Sequence, residues 1–369
     1  MSADRSGATG VGVIGAGIIS STYLEHLTAA ADLEVHAVAD LDVERAQAQA
    51  ARHGVAAGVS VGDLLADERI EIVVNLTVPA AHVEIGMRAL GAGKHVWGEK
   101  PLALDRAEAR TLLERAEELG LRVASAPDTF LGAGLQTAQR LVEEGRIGIP
   151  ISALALFRSA GPESWHPNPE FFYRRGGGPL FDMGPYYLTA LVQLLGPVRR
   201  VTARSSTFPL RRVIGAGPRA GTEFAVEVPS AHSALVEFSS GASAQVVFSF
   251  ESFRDQAPVL EIDGTTGAIA LPDPNGFDGA TRLWTDDPAQ PIDIPAAGHV
   301  TGRGAGVVDL ARSLRAGVPE RASGRLAFHI LDIMESIRES AELDRPIDLT
   351  STTDRPATLP LDWDPTRPV

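Results

Sequence analysis

The sequence predicts an α/β chain: a doubly wound parallel sheet first, then an α+β domain with an open, mostly antiparallel sheet. Three observations lead there. Between Val11 and about Ala126, short β-branched runs alternate with stretches of helical period, as repeated β-α units do. From Ile151 onward the strands lengthen and are separated by turn residues, as in antiparallel sheets. The 369 residues suffice for two domains, which commonly hold roughly 100–200 residues each.

In the first part, strands are expected at Val11–Gly15, Glu34–Asp40, Ile70–Thr77, His95–Glu99 and Arg122–Ala126. Helices lie between them. Asp42 is placed to cap a helix over Val43–His53. Asp105 caps another that presents Leu112, Leu113, Ala116 and Leu119 on one face and closes at Gly120, glycine being the common helix stop. A further helix runs from Leu135 to Glu144. Strands follow at Ala153–Phe157, Val198–Phe208, His232–Phe238 and Ala244–Phe250, with a hairpin turn around Gly241. Late helices are expected over Gly304–Ala316 and Arg325–Leu343, and a proline-rich tail over Ser351–Val369. The predicted domains are 1–128, 129–350 and an extended tail, 351–369.

The formal charge of −14, from 47 acidic and 33 basic residues, repels nucleic acid phosphate and anionic lipid. The segment Met1 to Gly10 lacks the apolar run of a secretory signal, and no stretch is apolar enough to suggest a membrane span. With no cysteine, disulfides, thiolate metal sites and cysteine nucleophiles are excluded. A cytoplasmic location is expected. The nine histidines form no His-Glu-x-x-His pattern, and neither a phosphate loop nor a Gly-x-Ser-x-Gly elbow is present. No metal site is expected.

Directly after the first strand comes Gly15-Ala16-Gly17-Ile18-Ile19-Ser20. Gly15 allows a tight turn, Gly17 leaves room for a pyrophosphate, and the helix start at Ile18 and Ile19 offers free N–H groups with a partial positive charge. Ser20 stands where the third glycine of a dinucleotide fingerprint would be, and a small residue there suffices for close packing. Asp40, ending the second strand about 20 residues on, is placed to accept hydrogen bonds from the adenosine ribose hydroxyls. Asp42 follows with only Leu41 between them, an arrangement that repels a 2′-phosphate. NAD is therefore expected over NADP on a Rossmann domain.

Two more strand ends carry polar residues: Thr77-Val78-Pro79 with His82, and Glu99-Lys100-Pro101. Ligands of open α/β sheets bind at such C-terminal strand ends, so Thr77, Pro79, His82, Glu99 and Lys100 are candidate cofactor contacts. Glu99 is alternatively a partner of Lys100, and His82 a packing residue. Further on, Gly176-Gly177-Gly178 precedes Asp182-Met183-Gly184-Pro185-Tyr186-Tyr187, and on a helix Asp182 and Tyr186 share one face.

Together these residues resemble the glucose–fructose oxidoreductase, inositol dehydrogenase and rhizopine-catabolism (Gfo/Idh/MocA) family over nearly the whole chain. The resemblance implies a Rossmann domain, an open-sheet domain that often mediates dimers or tetramers, and reversible oxidation of a secondary alcohol on a sugar or cyclitol. It also implies that Lys100 hydrogen-bonds the reacting oxygen and that Asp182 is its acidic partner. Where well-known members have a histidine two residues after Asp-x-Gly, this sequence has Tyr186.

Hydride removal from a carbinol carbon requires that the hydroxyl proton leave as well. Tyr186 can serve as the base if the Lys100 ammonium stabilises its phenolate; alternatively Lys100 moves the proton while Asp182 and Tyr186 orient the sugar. Trp165-His166-Pro167-Asn168 and Tyr173 offer an aromatic face with hydrogen-bonding neighbours for a sugar ring, and Asp128 is placed either to reach a hydroxyl or to cap a turn. Tyr187 and His329 read as packing residues. Two other functions use the same frame. A glycosidase that keeps NAD bound would oxidise, eliminate and re-reduce its sugar, and a non-enzymatic protein would bind NAD or sugar without turnover.

Overall fold

The computed structural model describes residues 7–253, 257, 259–285 and 287–369. Residues 1–6 of the segment read for a leader lie outside this set. The chain divides into two compact units: residues 1–132, 298–328 and 359–369, and residues 133–297 and 329–358.

The first unit follows a β-α rhythm: β1 (Thr9–Ile14), α1 (Ile18–Leu27), β2 (Leu33–Ala39), α2 (Val43–Arg52), β3 (Ala57–Val59), α3 (Val61–Ala66), β4 (Ile72–Asn75), α4 (His82–Gly91), β5 (His95–Gly98), α5 (Arg106–Glu118) and β6 (Val123–Ser125). The strands form one parallel sheet in the order β3-β2-β1-β4-β5-β6. Chain direction across the sheet therefore reverses between β1 and β4, the switch point at which ligands of such sheets bind. The central strands β1 and β4 are buried along their whole length, which is why they read as continuous apolar runs. Asp105 caps α5 by accepting from Ala107 N and Glu108 N, and Asp42 caps α2 by accepting from Arg45 N.

The second unit comprises α6 (Ala133–Glu143), β7 (Pro150–Arg158), α7 (Gly178–Leu195), β8 (Val198–Ser206), β9 (Arg211–Val213), β10 (Glu223–Ala225), β11 (Ala231–Phe238), β12 (Ser243–Ser249), β13 (Val259–Gly264), β14 (Ala268–Ala270), β15 (Thr281–Trp284) and β16 (Ile292–Ile294). After α8 (Ala305–Ala316), which belongs to the first unit, come α9 (Gly324–Leu343) and β17 (Ile347–Asp348). Nine strands form a sheet in the order β16-β15-β14-β13-β7-β12-β11-β8-β17, antiparallel except for the parallel pair β7 and β12. Along β11 burial alternates, with His232, Ala234, Val236 and Phe238 inward and Leu235 outward, the period of a strand with one face covered.

The expected partition at residues 128 and 350 differs from the observed one. Residues 298–328 and 359–369, assigned from the sequence to the second domain and the tail, belong to the first unit. Specific contacts hold them there. Asp128 accepts from Gly304 N and Gly306 N at the start of α8, Arg315 pairs with Glu71 at 2.6 Å, and Arg312 pairs with Asp32 and donates to the carbonyls of Asp364 and Arg367. A Cβ on Gly306 would lie 2.0 Å from the Trp97 ring, so only glycine lets α8 approach β5 this closely.

Candidate active site

The glycine loop leaves β1 at Gly15, whose φ is +107° and whose Cβ, if present, would sit 2.6 Å from the Leu76 carbonyl oxygen. Glycine is required there on both counts. Gly17, the N-cap of α1, has no side-chain cap, and a Cβ there would meet nothing within 4 Å. Open space thus lies over an uncapped helix N-terminus, where Ile18 and Ile19 begin the first turn, and such termini hold phosphate groups. Ser20 is fully buried; its hydroxyl donates to Gly17 O at 2.6 Å and accepts from Gln49 Nε2 at 2.9 Å, so it packs as a third glycine would. Large apolar side chains stand exposed just beyond β1, β2 and β4, namely Ile18, Leu41 and Val78, as suits ring faces of a bound dinucleotide. The residues present fit that group.

Asp40 is the buried acid of this region. Its Oδ2 accepts from Ala16 N at 2.7 Å, and its Oδ1 accepts from Asp42 N at 3.0 Å and from Arg45 Nη2 at 2.5 Å. Burial opposes its charge, but the Arg45 guanidinium and the two backbone donors outweigh this and hold its carboxyl below the usual carboxylate range. Asp40 therefore shapes the glycine loop directly. The sequence between Asp40 and Asp42 does not announce Arg45, which the first turn of α2 brings back over Asp40.

Beyond β4, Thr77 donates its hydroxyl to Asn75 Oδ1 at 2.7 Å, Asn75 Nδ2 donates to His82 O at 2.9 Å, and Pro79 opens a short 3₁₀ turn, Pro79–Ala81. His82 opens α4. It is 3% exposed, with Nδ1 2.7 Å from the Pro101 carbonyl oxygen and Nε2 3.0 Å from that of Thr77. Its ring thus ties the loop after β4 to the loop after β5, and burial pushes its pKa down.

At the end of β5, Glu99 N donates to Asn75 O at 2.9 Å, keeping the two strand ends side by side. The half-buried Glu99 carboxylate is held by two donors: Oε1 accepts from Tyr23 OH at 2.6 Å and Oε2 from Lys100 N at 3.1 Å. Tyr23 is fully buried on α1, and burial together with the charges of Glu99 and Asp128 pushes its phenol pKa far up, so it remains a donor. Lys100 is part-buried at the C-terminal end of β5. Asp128 caps the start of α8. It is wholly buried, its Oδ2 accepts from Gly304 N at 2.8 Å and Gly306 N at 3.1 Å, and burial raises its pKa.

In the second unit, Asp182 and Tyr186 lie one turn apart on α7, Asp182 part-buried and Tyr186 5% exposed. The glycine run before them is not a loose tether. A Cβ on Gly177 would lie 2.6 Å from Phe171 O and 2.7 Å from Phe172 O, so the glycine seats the start of α7 against the aromatic segment. There Trp165 is 65% exposed, and His166 makes edge contacts with Trp165, Phe171 and Phe172 at 5.5, 5.3 and 5.4 Å between ring centres. The His166 Nδ1 accepts from Asn168 N at 3.0 Å.

Tyr173 does not join that exposed face. It is fully buried; its hydroxyl donates to Glu163, and Arg212 packs over its ring and pairs with Glu163 at 2.5 Å. Tyr187 packs edge-on against Phe157 and Phe248, as a core residue. His329 is fully buried. Its Nε2 accepts from Val198 N at 2.9 Å, leaving Nδ1–H to donate to Ser351 Oγ at 2.8 Å, and the Ser351 hydroxyl donates to Asp332 Oδ2 at 2.5 Å. This serine, histidine and aspartate cluster is structural, because the imidazole lone pair a catalytic base needs is committed to a backbone N–H. Among the described residues no group of three or more His, Cys, Asp or Glu could hold a metal ion, and no helix is long and apolar enough to cross a membrane.

Residues 9–126 match the Gfo/Idh/MocA oxidoreductase family, NAD-binding Rossmann fold, and residues 135–270 match that family's C-terminal domain. The chain is 31% identical over 347 residues to the dTDP-3,4-didehydro-2,6-dideoxy-α-D-glucose 3-reductase of Streptomyces violaceoruber, covering 90% of this chain and 95% of that one. It is 33% identical over 168 residues to an uncharacterised oxidoreductase of Schizosaccharomyces pombe, and this match spans less than half of that protein, 44% of its length. Among solved structures, levoglucosan dehydrogenase in complex with NADH and levoglucosan has a similar fold, with a TM-score of 0.80 at 22% identity over 93% of this chain and 99% of that one.

Proposed function

Because the chain belongs to the Gfo/Idh/MocA family of oxidoreductases with an NAD-binding Rossmann domain, we propose that it moves a hydride between a nicotinamide dinucleotide and a secondary alcohol carbon of a sugar, sugar derivative or cyclitol. The observation that carries this reading is the position of Lys100. It stands just past the C-terminal end of β5, one strand beyond the switch point between β1 and β4 and two strands from the uncapped glycine loop. The names of similar proteins, a nucleotide-sugar reductase and a levoglucosan dehydrogenase, support sugars as the substrate class.

In this reading the bound dinucleotide supplies the hydride acceptor or donor. Gly15, Gly17 and the N–H groups of Ile18 and Ile19 seat the pyrophosphate, and Thr77 and Pro79 border the nicotinamide end. Asp40 takes the ribose hydroxyls with its remaining lone pair, and the further carboxylate of Asp42 makes NAD the preferred form over NADP. The Lys100 amine donates to the reacting oxygen. As that oxygen becomes a carbonyl its proton passes to Lys100 or to Tyr186, while Asp182, Trp165 and His166 orient the sugar. Self-association as a dimer or tetramer through the second unit's sheet belongs to the same proposal, supported by the exposed Leu235 and Ile151 on its strands, as does a cytoplasmic location.

The test is to incubate purified protein with NAD or NADP and a panel of sugars, cyclitols and glycosides while following reduced nicotinamide. Lys100→Met should abolish turnover and leave dinucleotide affinity largely intact; unchanged rates would overturn the assignment. Tyr186→Phe should depress turnover by about 10²–10⁴-fold if the phenol carries the proton, and a small effect would give that task to Lys100.

A further inference from the structure

Of the 33 basic residues in the chain only two, Lys94 and Lys100, are lysines, and all the others are arginines. The difference is chemical. A guanidinium stays protonated at any physiological pH and does not attack carbonyls, whereas a lysine amine loses its proton readily enough to act as a nucleophile and form Schiff bases. Lys94 is withdrawn from this chemistry: it is 7% exposed, and its Nζ donates to the Asp67 carbonyl oxygen at 2.7 Å. Lys100 is the more exposed of the two and stands at the ligand-binding end of the sheet.

We propose that Lys100 is a selective carbonyl-modification site, at which the aldehyde of an α-hydroxyaldehyde such as an open-chain aldose condenses with the side-chain amine. The amine nitrogen bonds to the carbonyl carbon, the carbon–oxygen bond breaks, and the oxygen leaves as water with the two amine protons, so an imine forms without redox change. The choice of an α-hydroxyaldehyde rests on the sugar chemistry proposed above; the selectivity for residue 100 rests only on composition and burial. An enzyme handling reducing sugars is exposed to glycation, and in this chain that reaction falls on the amine assigned to the reacting oxygen. Reducing sugars would then act as slow, time-dependent inhibitors.

The full-length protein is incubated with glycolaldehyde and cyanoborohydride, and adducts are located by intact and peptide mass spectrometry, with the terminal amine scored separately. Lys100 should be modified at least about tenfold faster than Lys94, because Lys94 reacts only after local opening. In urea the two rates should converge. Lys100→Arg should remove the fast side-chain adduct and leave the terminal one. Equal rates at the two lysines in the folded protein, or an unmodified residue 100 under conditions that label the terminal amine, would overturn the proposal. Selective labelling at residue 100 in a protein that binds no dinucleotide would uphold the site while refuting the proposed function, so the two failures are distinguishable.

Discussion

Replacing His329 with glutamine should remove a defined part of the protein's sensitivity to acid. In the fold its imidazole is neutral by construction, since Nε2 must accept from Val198 N, and burial lowers its pKa from 6.5 to about 4. His232, also buried, is lowered to about 4 for the same reason. In the unfolded chain each ring takes up a proton near pH 6.5, whereas the folded chain resists until about pH 4. The stabilisation from neutral burial is therefore fully present above the unfolded value and is lost as pH falls through the window between the two. One pKa unit corresponds to about 1.4 kcal/mol, so each histidine should cost about 2 kcal/mol of stability at pH 5 and about 3 kcal/mol by pH 4. Denaturant unfolding followed by circular dichroism between pH 7 and 5 gives the slope of stability against pH. His329→Gln should lower stability at neutral pH yet reduce that slope by about 1 kcal/mol per pH unit averaged over this range, since the unfolded ring takes up most of its proton only below pH 6.5. A variant with the wild-type slope would refute the assignment of a neutral, committed imidazole.

Other substitutions test the site's scaffolding. Asp128→Ala leaves two buried N–H groups at the start of α8 without an acceptor and should cost about 1–2 kcal/mol, seen as a lower melting temperature, while Asp128→Asn retains an acceptor and should cost less. Gly177→Ala forces a methyl against the carbonyls of Phe171 and Phe172 and should destabilise by about 1–3 kcal/mol, with loss of Trp165 fluorescence contrast on sugar binding. Arg45→Ala leaves the Asp40 carboxylate unneutralised and should widen the preference for NAD over NADP in direct binding titrations by about tenfold; an unchanged or narrowed preference would refute the neutralising role of Arg45.

The parallel sheet was legible because its strands are buried on both faces and so appear as uninterrupted β-branched runs between periodic helices. β3 escaped notice because Ala57-Gly58-Val59 has neither length nor alternation; a Cβ on Gly58 would stand 2.3 Å from Gln47, a packing constraint no local pattern announces. In the second unit the long strands were visible, but β9, β10 and β13–β17 were not, most being only two to four residues long. Positions at strand ends led to Gly15, Gly17, Asp40 and Lys100, whereas the bonding of Asp128 and of Glu99 to Tyr23 depended on partners far along the chain. Asp128 meets its partners 176 and 178 residues later, and no reading of neighbouring residues supplies that.

The attachment of α8 to the first unit also sets a timetable for synthesis. When the ribosome has released residues 1–132, the whole parallel sheet exists as sequence, yet the glycine that lies against Trp97 and the N–H groups that satisfy Asp128 are still unmade. The nascent sheet must wait with a bare tryptophan edge and an unpaired acid until the intervening segment, nearly half the polypeptide, has emerged. Truncated products ending anywhere before α8 should thus be captured by chaperones or proteases, and the dinucleotide half is among the last parts of the molecule to close.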